Sequence, residues 1–154
     1  MLTQLCHMGS FFWGNTHSNK NIFKIQKRII RIIPNIGNCE SCRQEFKELQ
    51  ILTLPLQYVF SLLIFVNKNR EIFYKNSKIH DCNKRFKDNL HLPSSRLTMV
   101  QRGVLLSRSK IYNHLPSNIR EWTHDNKLLK LKLKRYLIEQ TFYSLDEYYQ
   151  QLLE

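Results

Sequence analysis

Residues 22–33 read IFKIQKRIIRII, a stretch that mixes apolar and basic side chains and contains no acid. On a helical wheel with about 100° per residue, the two kinds of side chain separate. One side holds seven apolar residues: Ile22, Phe23, Ile25, Ile29, Ile30, Ile32 and Ile33. An arc of about 100° on the other side holds five cations, which we call the cationic arc: Lys20, Lys24, Lys27, Arg28 and Arg31. We predict a helix over residues 20–33 that is capped by Ser18 or Asn19, ends at Pro34 and packs its apolar side inward.

Three kinds of helix share this pattern: a membrane-surface helix, a nucleic-acid-binding helix and an ordinary bundle helix. Because no Asp or Glu interleaves the cations, i,i+4 ion pairs are not their purpose. The whole chain has 24 Lys and Arg against 12 Asp and Glu, and this excess attracts nucleic acid or an acidic membrane surface. A second basic stretch follows later in the chain, with Lys127, Lys130, Lys132, Lys134 and Arg135.

The scarcity of turn residues predicts a mainly α fold. Four glycines and four prolines in 154 residues are too few for a β-sandwich or barrel. The longest apolar stretch, ILTLPLQYVFSLLIFV at 51–66, contains a proline and a glutamine and is shorter than the roughly 20 clean residues of a membrane span. We therefore predict a central core helix from about Leu54 to Asn67, within a small helical bundle.

A polar, basic connection at about 67–103 interrupts the helical pattern and leaves room for one short strand near 90–92. Before the core helix, a short helix is predicted from Asn38 or Ser41. After the connection, helical spacing returns in GVLLSRSKIYNHL (103–115), SNIREW (117–122) and NKLLKLKLKRYLIEQ (126–140). The last of these also alternates like a strand, but its length favours a helix. Ser144 and Glu147 form a capping box that begins the final helix.

No group of residues in the sequence points to catalysis. The carboxylates lie in separate predicted elements, and neither a G-x-S-x-G, a P-loop nor a G-x-G-x-x-G sequence is present. Cys39-x-x-Cys42 is half of a zinc motif, but His80 and Cys82 have the wrong spacing for the other half. We expect no catalytic residue, no metal and no cofactor. In the absence of a secretory signal, we expect reduced cysteines in an intracellular protein, nuclear or cytoplasmic and not secreted.

Seven segments follow one another over essentially the whole chain: FWG (12–14), IQKRIIRII (25–33), SCRQEFKELQILTLPLQYVFSLLIFV (41–66), NSKIH (76–80), LHLPSSRLT (90–98), the Gly103–Pro116 run ending in IYNHLP, and FYSLDEYY (142–149). In this order they resemble the C-terminal region of reverse transcriptases encoded by non-LTR (LINE-type) retrotransposons of the jockey-like group. The resemblance implies that residues 1–34 are a remnant of the polymerase thumb. It implies that residues 35–154 are the C-terminal helical extension.

The resemblance also implies a function without catalysis. The palm, with its Tyr-x-Asp-Asp motif, would lie N-terminal to this chain, so RNA-directed DNA polymerase activity is not carried over. The cationic arc would face the backbone of an RNA–DNA hybrid or duplex without reading sequence. We expect nucleic acid and the missing N-terminal parts of the parent polymerase as partners, and neither a membrane nor a small-molecule substrate. Two alternatives stay open: a decayed remnant without a biochemical role, and a membrane-surface or partner-binding amphipathic-helix protein.

Overall fold

The computed structural model describes residues 18–37, 40–79, 86–92, 104–120 and 126–150. Within these ranges the chain is mainly helical, which confirms the predicted fold class. An isolated antiparallel bridge joins Lys75 to Leu90, where the sequence left room for a strand. The helices are α1 (Ser18–Ile32), α2 (Arg43–Glu48), α3 (Leu54–Lys68), α4 (Asn76–Ile79), α5 (Val104–Asn113), α6 (Ser117–Arg120), α7 (Asn126–Gln140) and α8 (Leu145–Gln150), with a 3₁₀ turn at Arg70–Ile72.

The described chain divides into two compact units. The first contains the residues up to Ser61 and from Lys130 onward, and the second contains Leu62–Leu129. The family resemblance implies a different boundary, at residue 34, between the thumb remnant and the C-terminal extension. That boundary stays a prediction.

The buried side of α1 differs from the predicted one. Phe23 and Ile30 are only 8% and 3% exposed, and they form a core cluster with Cys42 and Phe46. The prediction that all seven apolar residues pack inward is wrong for five of them, which are 51% to 74% exposed. We call these five the isoleucine stripe: Ile22, Ile25, Ile29, Ile32 and Ile33.

The physical reason for this difference is a polar residue on the buried side of α1. The side chain of Gln26 donates from Nε2 to the carbonyl of Leu52 at 3.0 Å, and its Oε1 accepts from the N–H of Leu54 at 2.9 Å. The first N–H groups of a helix have no partner within the helix, so Gln26 supplies one to the start of α3. This contact holds the face of α1 that contains Phe23, Gln26 and Ile30 against the start of α3.

The end of α1 follows the sequence closely. Asn35 takes the left-handed conformation, with φ 57°, that favours glycine or asparagine after a helix. Its N–H donates to the Ile32 carbonyl, and the N–H of Ile36 donates to the Arg31 carbonyl at 3.0 Å. These are the two bonds of a Schellman motif, and they satisfy carbonyls that the helix leaves open.

The core helix and the Leu/Lys-rich helix form as predicted. In α3, Leu56 and Val59 are buried in the first unit, and Leu62 and Val66 are buried in the second. In α7, Leu133 and Leu137 are fully buried four residues apart, whereas a strand would have placed Leu131 and Leu133 on the same side. Leu131 is in fact largely exposed.

Asparagine and arginine side chains hold the second unit together. Asn113 accepts from the N–H of Leu90 at 2.7 Å and donates to its carbonyl at 2.9 Å, so both backbone groups of this buried residue are satisfied. Arg120 donates to the carbonyls of Leu115 and Asn113, and also to the side-chain oxygen of Asn89. The segment around Leu90 is thereby tied to α5 and α6.

The predicted capping box before α8 is half formed. The hydroxyl of Ser144 accepts from the N–H of Glu147 at 3.1 Å, as the motif requires. The carboxylate of Glu147 accepts instead from the N–H of Tyr143, one residue before the expected position. Cys39, His80 and Cys82, which the sequence analysis considered for a zinc site, lie outside the described residues.

Candidate nucleic-acid interface

The surface of α1 has three parts. The buried side carries Phe23 and Ile30, the cationic arc lies on one flank, and the isoleucine stripe covers the remainder. At about 100° per residue, the arc and the stripe each span about 100°. The five cations therefore stay on one continuous surface, as the sequence predicts, although their apolar neighbours do not.

The outer part of the cationic arc is open to solvent. Lys20, Lys24 and Arg28 are exposed. The ion pairs in the described ranges are Arg43–Glu147 and Lys75–Asp88, and neither involves a residue of α1. Since α1 itself contains no carboxylate, the charge of these three side chains is not neutralised by the described part of the first unit.

Lys27 forms the inner edge of the arc. Its ammonium lies 4.9 Å from the centroid of the Phe23 ring and 5.3 Å from that of the Tyr143 ring. A cation over an aromatic face is attracted by the electron density of the ring. Lys27 is therefore half-buried but keeps its charge next to the exposed cations.

Arg31 is anchored by a backbone oxygen rather than by a carboxylate. Its Nε and Nη2 donate to the carbonyl of Glu40 at 3.1 and 2.8 Å. A guanidinium has five N–H donors, so three remain for another ligand. This bond orients Arg31 without cancelling its positive charge.

Tyr143 organises the buried side of this surface. Its ring makes an edge contact with Phe23 at 5.3 Å, and its hydroxyl lies 3.3 Å from the Cys42 thiol. Arg43 lies 4.5 Å from the same ring and pairs with Glu147 at 3.1 Å. Burial, together with the hydrogen bond to the thiol, raises the pKa of the Tyr143 phenol to about 12. The ring is thus flanked by two cations, Lys27 and Arg43.

Sequence reasoning missed both residues that position α1. Gln26 has a polar side chain in the middle of a helix, and hydropathy assigns such a residue to solvent. Tyr143 lies far along the chain, in the FYSLDEYY segment, which gives no local sign of contact with residues 23–27. Positions that vary together in related sequences would reveal such contacts.

The second basic stretch is less concentrated. The cations of α7 spread over about 200° of the wheel, roughly twice the span of the arc on α1. Lys130 and Lys134 share one exposed face, while Arg135 is exposed on another. We therefore place the candidate interface on α1, where the same number of charges occupies half the width.

This arrangement suits the binding of anions. Lysine and arginine contact phosphate oxygens through charge-assisted hydrogen bonds. In the part of the chain that the structure describes, no three His, Cys, Asp or Glu side chains converge to hold a metal ion. Among the same residues, no helix has both the length and the apolar character needed to cross a bilayer.

No protein-family model, curated protein or solved structure matches the chain. The resemblance to retrotransposon reverse transcriptases therefore rests on the seven sequence segments and stays a prediction. The candidate interface rests on the geometry of α1.

Proposed function

We propose that the chain binds the sugar–phosphate backbone of nucleic acid through the cationic arc of α1, without sequence specificity. The observation that carries this proposal is the exposure of Lys20, Lys24 and Arg28 on one arc, with no carboxylate partner among the described residues. Contacts of this kind position a duplex but do not read its bases.

The charge pattern supports a polyanion over a small anion. The arc runs from Lys20 to Arg31, which are eleven positions apart, or about 16 Å at 1.5 Å per residue. Successive phosphates along one strand are a few ångströms apart, so a helix of this length spans several of them. Each neutralised phosphate releases counterions, which makes the affinity strongly dependent on salt.

The proposal includes no catalysis by this chain. We further propose that it derives from the C-terminal region of a non-LTR retrotransposon reverse transcriptase, as the seven segments indicate. The genomic sequence just upstream of Met1 tests this origin. We expect it to encode a Tyr-x-Asp-Asp motif, intact or in a broken frame, and an upstream sequence without any trace of a polymerase palm would contradict the origin but not the binding.

Fluorescence anisotropy with a labelled RNA–DNA hybrid tests the binding directly. The wild-type chain should bind weakly at physiological salt, and the variant Lys24→Glu/Arg28→Glu should lose most of this binding. Lys134→Glu/Arg135→Glu on α7 is a matched control, because it changes the net charge by the same amount at exposed positions. It should retain more of the affinity than the α1 variant.

Two outcomes would contradict the assignment to α1. If both charge-reversal variants lose the same affinity, binding depends on total charge and not on the cationic arc. If the wild-type chain does not bind the hybrid at low salt, the proposal fails and the alternative of a remnant without a biochemical role is favoured.

A second candidate function is favoured by the isoleucine stripe. Exposed isoleucines next to cations on the same helix, here Ile22, Ile25, Ile29 and Ile32, are typical of a helix that lies on an anionic membrane surface. Co-sedimentation with phosphatidylcholine vesicles, with and without phosphatidylserine, tests this candidate. Tighter binding to the anionic vesicles than to the hybrid, reduced by Ile25→Ser/Ile29→Ser, would favour the membrane over nucleic acid.

A further inference from the structure

The second unit exposes two aromatic rings. Tyr74 is 58% exposed and Phe86 is 64% exposed. The other large apolar side chains that are exposed among the described residues are all isoleucine or leucine. An exposed aliphatic residue is ordinary, but two exposed rings on neighbouring segments offer π-faces to a ligand.

The neighbouring aromatic residue shows how this exposure arises. Phe73 is half-buried and makes an edge contact with Phe65 at 6.4 Å. Arg108 stacks on the Phe65 ring at 3.7 Å. Phe73 therefore anchors the chain to the second unit, and Tyr74, the next residue, is left open to solvent.

Backbone hydrogen bonds hold the two rings on adjacent chain segments. The N–H of His91 donates to the Tyr74 carbonyl at 2.8 Å, and the N–H of Asn76 donates to the Asn89 carbonyl at 2.9 Å. The side chain of Asn76 also donates to the carbonyl of Phe86 at 3.1 Å. Tyr74 and Phe86 are thus each within two residues of a bond that joins the segments, so their backbones are fixed relative to each other.

Cations accompany the rings on the same segments. Lys78 and Lys87 are exposed, and neither takes part in an ion pair within the described ranges. Lys75 pairs with Asp88 at 3.0 Å, and this contact lowers the pKa of the Asp88 carboxyl. Both rings and both lysines are therefore exposed on two segments that backbone hydrogen bonds join.

We infer that this surface, Tyr74 and Phe86 with Lys78 and Lys87, binds single-stranded nucleic acid. Unpaired bases would stack on the rings, while the lysines contact phosphates. Proteins that bind single strands without sequence preference combine stacking aromatic side chains with a basic surface in this way. A duplex keeps its base faces stacked inside the helix, so it offers phosphates but no free faces to the rings. We call these four residues the aromatic platform.

The inference rests on the proposed function in one respect, because both ligands are nucleic acids. It adds a second kind of ligand and places it on a different unit from the cationic arc. The two bindings can therefore fail separately, and each has its own probe: the hybrid for the arc and an unpaired oligonucleotide for the platform.

Anisotropy of the full chain with a labelled oligothymidylate of about 16 nucleotides, a length that single-strand-binding surfaces cover, tests the platform. Tyr74→Ala/Phe86→Ala should weaken this binding about tenfold or more and leave hybrid binding unchanged. Tyr74→Phe should bind like the wild-type chain, because the ring is retained. Ile72→Ala/Ile79→Ala is the matched control, since it removes exposed apolar side chains from the same segment without removing a ring.

Stacking also has a spectroscopic signature. Phe86→Trp should retain binding, and saturation with oligothymidylate should quench its fluorescence beyond any quenching of the wild-type tryptophans. The quenching reports contact between the ring and the bases, which an affinity alone does not show. Thermal unfolding of each variant checks that the fold is intact.

Three results would overturn the inference. One is an unchanged single-strand affinity in Tyr74→Ala/Phe86→Ala. Another is an equal loss in the isoleucine control, which would identify an apolar docking surface for a protein or a bilayer. The third is hybrid binding without oligothymidylate binding by the wild-type chain, which leaves the proposed function intact. The opposite combination overturns the proposed function alone. In that case single-strand binding depends on the two rings, while Lys24→Glu/Arg28→Glu leaves the affinity for the hybrid unchanged.

Discussion

The side-chain oxygen of Gln26 accepts a hydrogen bond from the backbone N–H of Leu54 at 2.9 Å. This contact connects the middle of α1 to the first residue of α3, and it decides which side of α1 is buried. The cationic arc owes its position to this bond, because a helix rotated to bury the isoleucines would turn Gln26 away from α3.

We expect Gln26→Leu to destabilise the fold by about 1–3 kcal/mol, the cost of leaving a part-buried N–H without a partner. Urea unfolding followed by circular dichroism measures the change in the free energy of unfolding. Gln44→Leu, on an exposed position of α2, is the control and should change stability little. Equal effects of the two substitutions would contradict the role given to Gln26.

The buried side of α1 predicts a contrast between apolar truncations on the same helix. Phe23→Ala should cost about 3–5 kcal/mol, as for large residues in other cores, because it removes a ring that contacts Phe46 and Tyr143. Ile25→Ala and Ile29→Ala should stay within about 0.5 kcal/mol of the wild type, since both side chains are exposed. Losses of several kcal/mol in the isoleucine variants would show that the stripe is buried in solution.

Lys27 should contribute to stability as well as to charge. Lys27→Met keeps most of the side-chain volume but removes the cation over the Phe23 and Tyr143 rings, and we expect a loss of about 1 kcal/mol. Lys24→Met, at an exposed position on the same arc, should leave the free energy of unfolding nearly unchanged. Identical unfolding curves for both variants would argue against the cation–ring contacts.

Two tyrosines predict a loss of stability at high pH. The pKa of Tyr143 is raised to about 12 by burial and by the bond to Cys42. The pKa of Tyr149 is raised to about 12 by burial, with Tyr58 and Asp146 adding to the effect. The folded chain keeps both protons after the unfolded chain has lost them, so this contribution is complete below pH 10, the ordinary tyrosine pKa, and disappears as the pH rises through about 12.

Urea unfolding at several pH values in this window measures the effect. Stability should fall with rising pH in the wild-type chain, and the fall should be shallower in Tyr143→Phe/Tyr149→Phe, which has neither phenol. The same slope in the double variant would mean that other groups account for the alkaline unfolding.

The helices themselves could be predicted from the sequence because their signals are local. Pro34 ends α1, the apolar run at 51–66 forms α3, and Leu133 and Leu137 decide that α7 is a helix despite the alternation with lysine. In each case the deciding residues lie within a few positions of each other, so the helical period alone identifies them.

The orientation of α1 could not be predicted because the deciding contacts are distant in sequence. A wheel separates isoleucines from cations, but it assumes that the more apolar side is the buried one. Gln26 overrides this assumption through its bonds to Leu52 and Leu54, and Phe23 finds its partners in α2 and at Tyr143. The aromatic platform could not be predicted either, because the sequence does not show that the ring of Tyr74 is exposed while that of its neighbour Phe73 is half-buried.

The salt dependence of binding to an RNA–DNA hybrid tests the central claim most directly. For three to five phosphate contacts by the cationic arc, log K against log[salt] should have a slope of roughly −3 to −5. Lys24→Gln/Arg28→Gln removes two of these contacts and should make the slope shallower by about 2. A slope that stays the same in this variant would contradict the assignment of α1 to the nucleic-acid backbone.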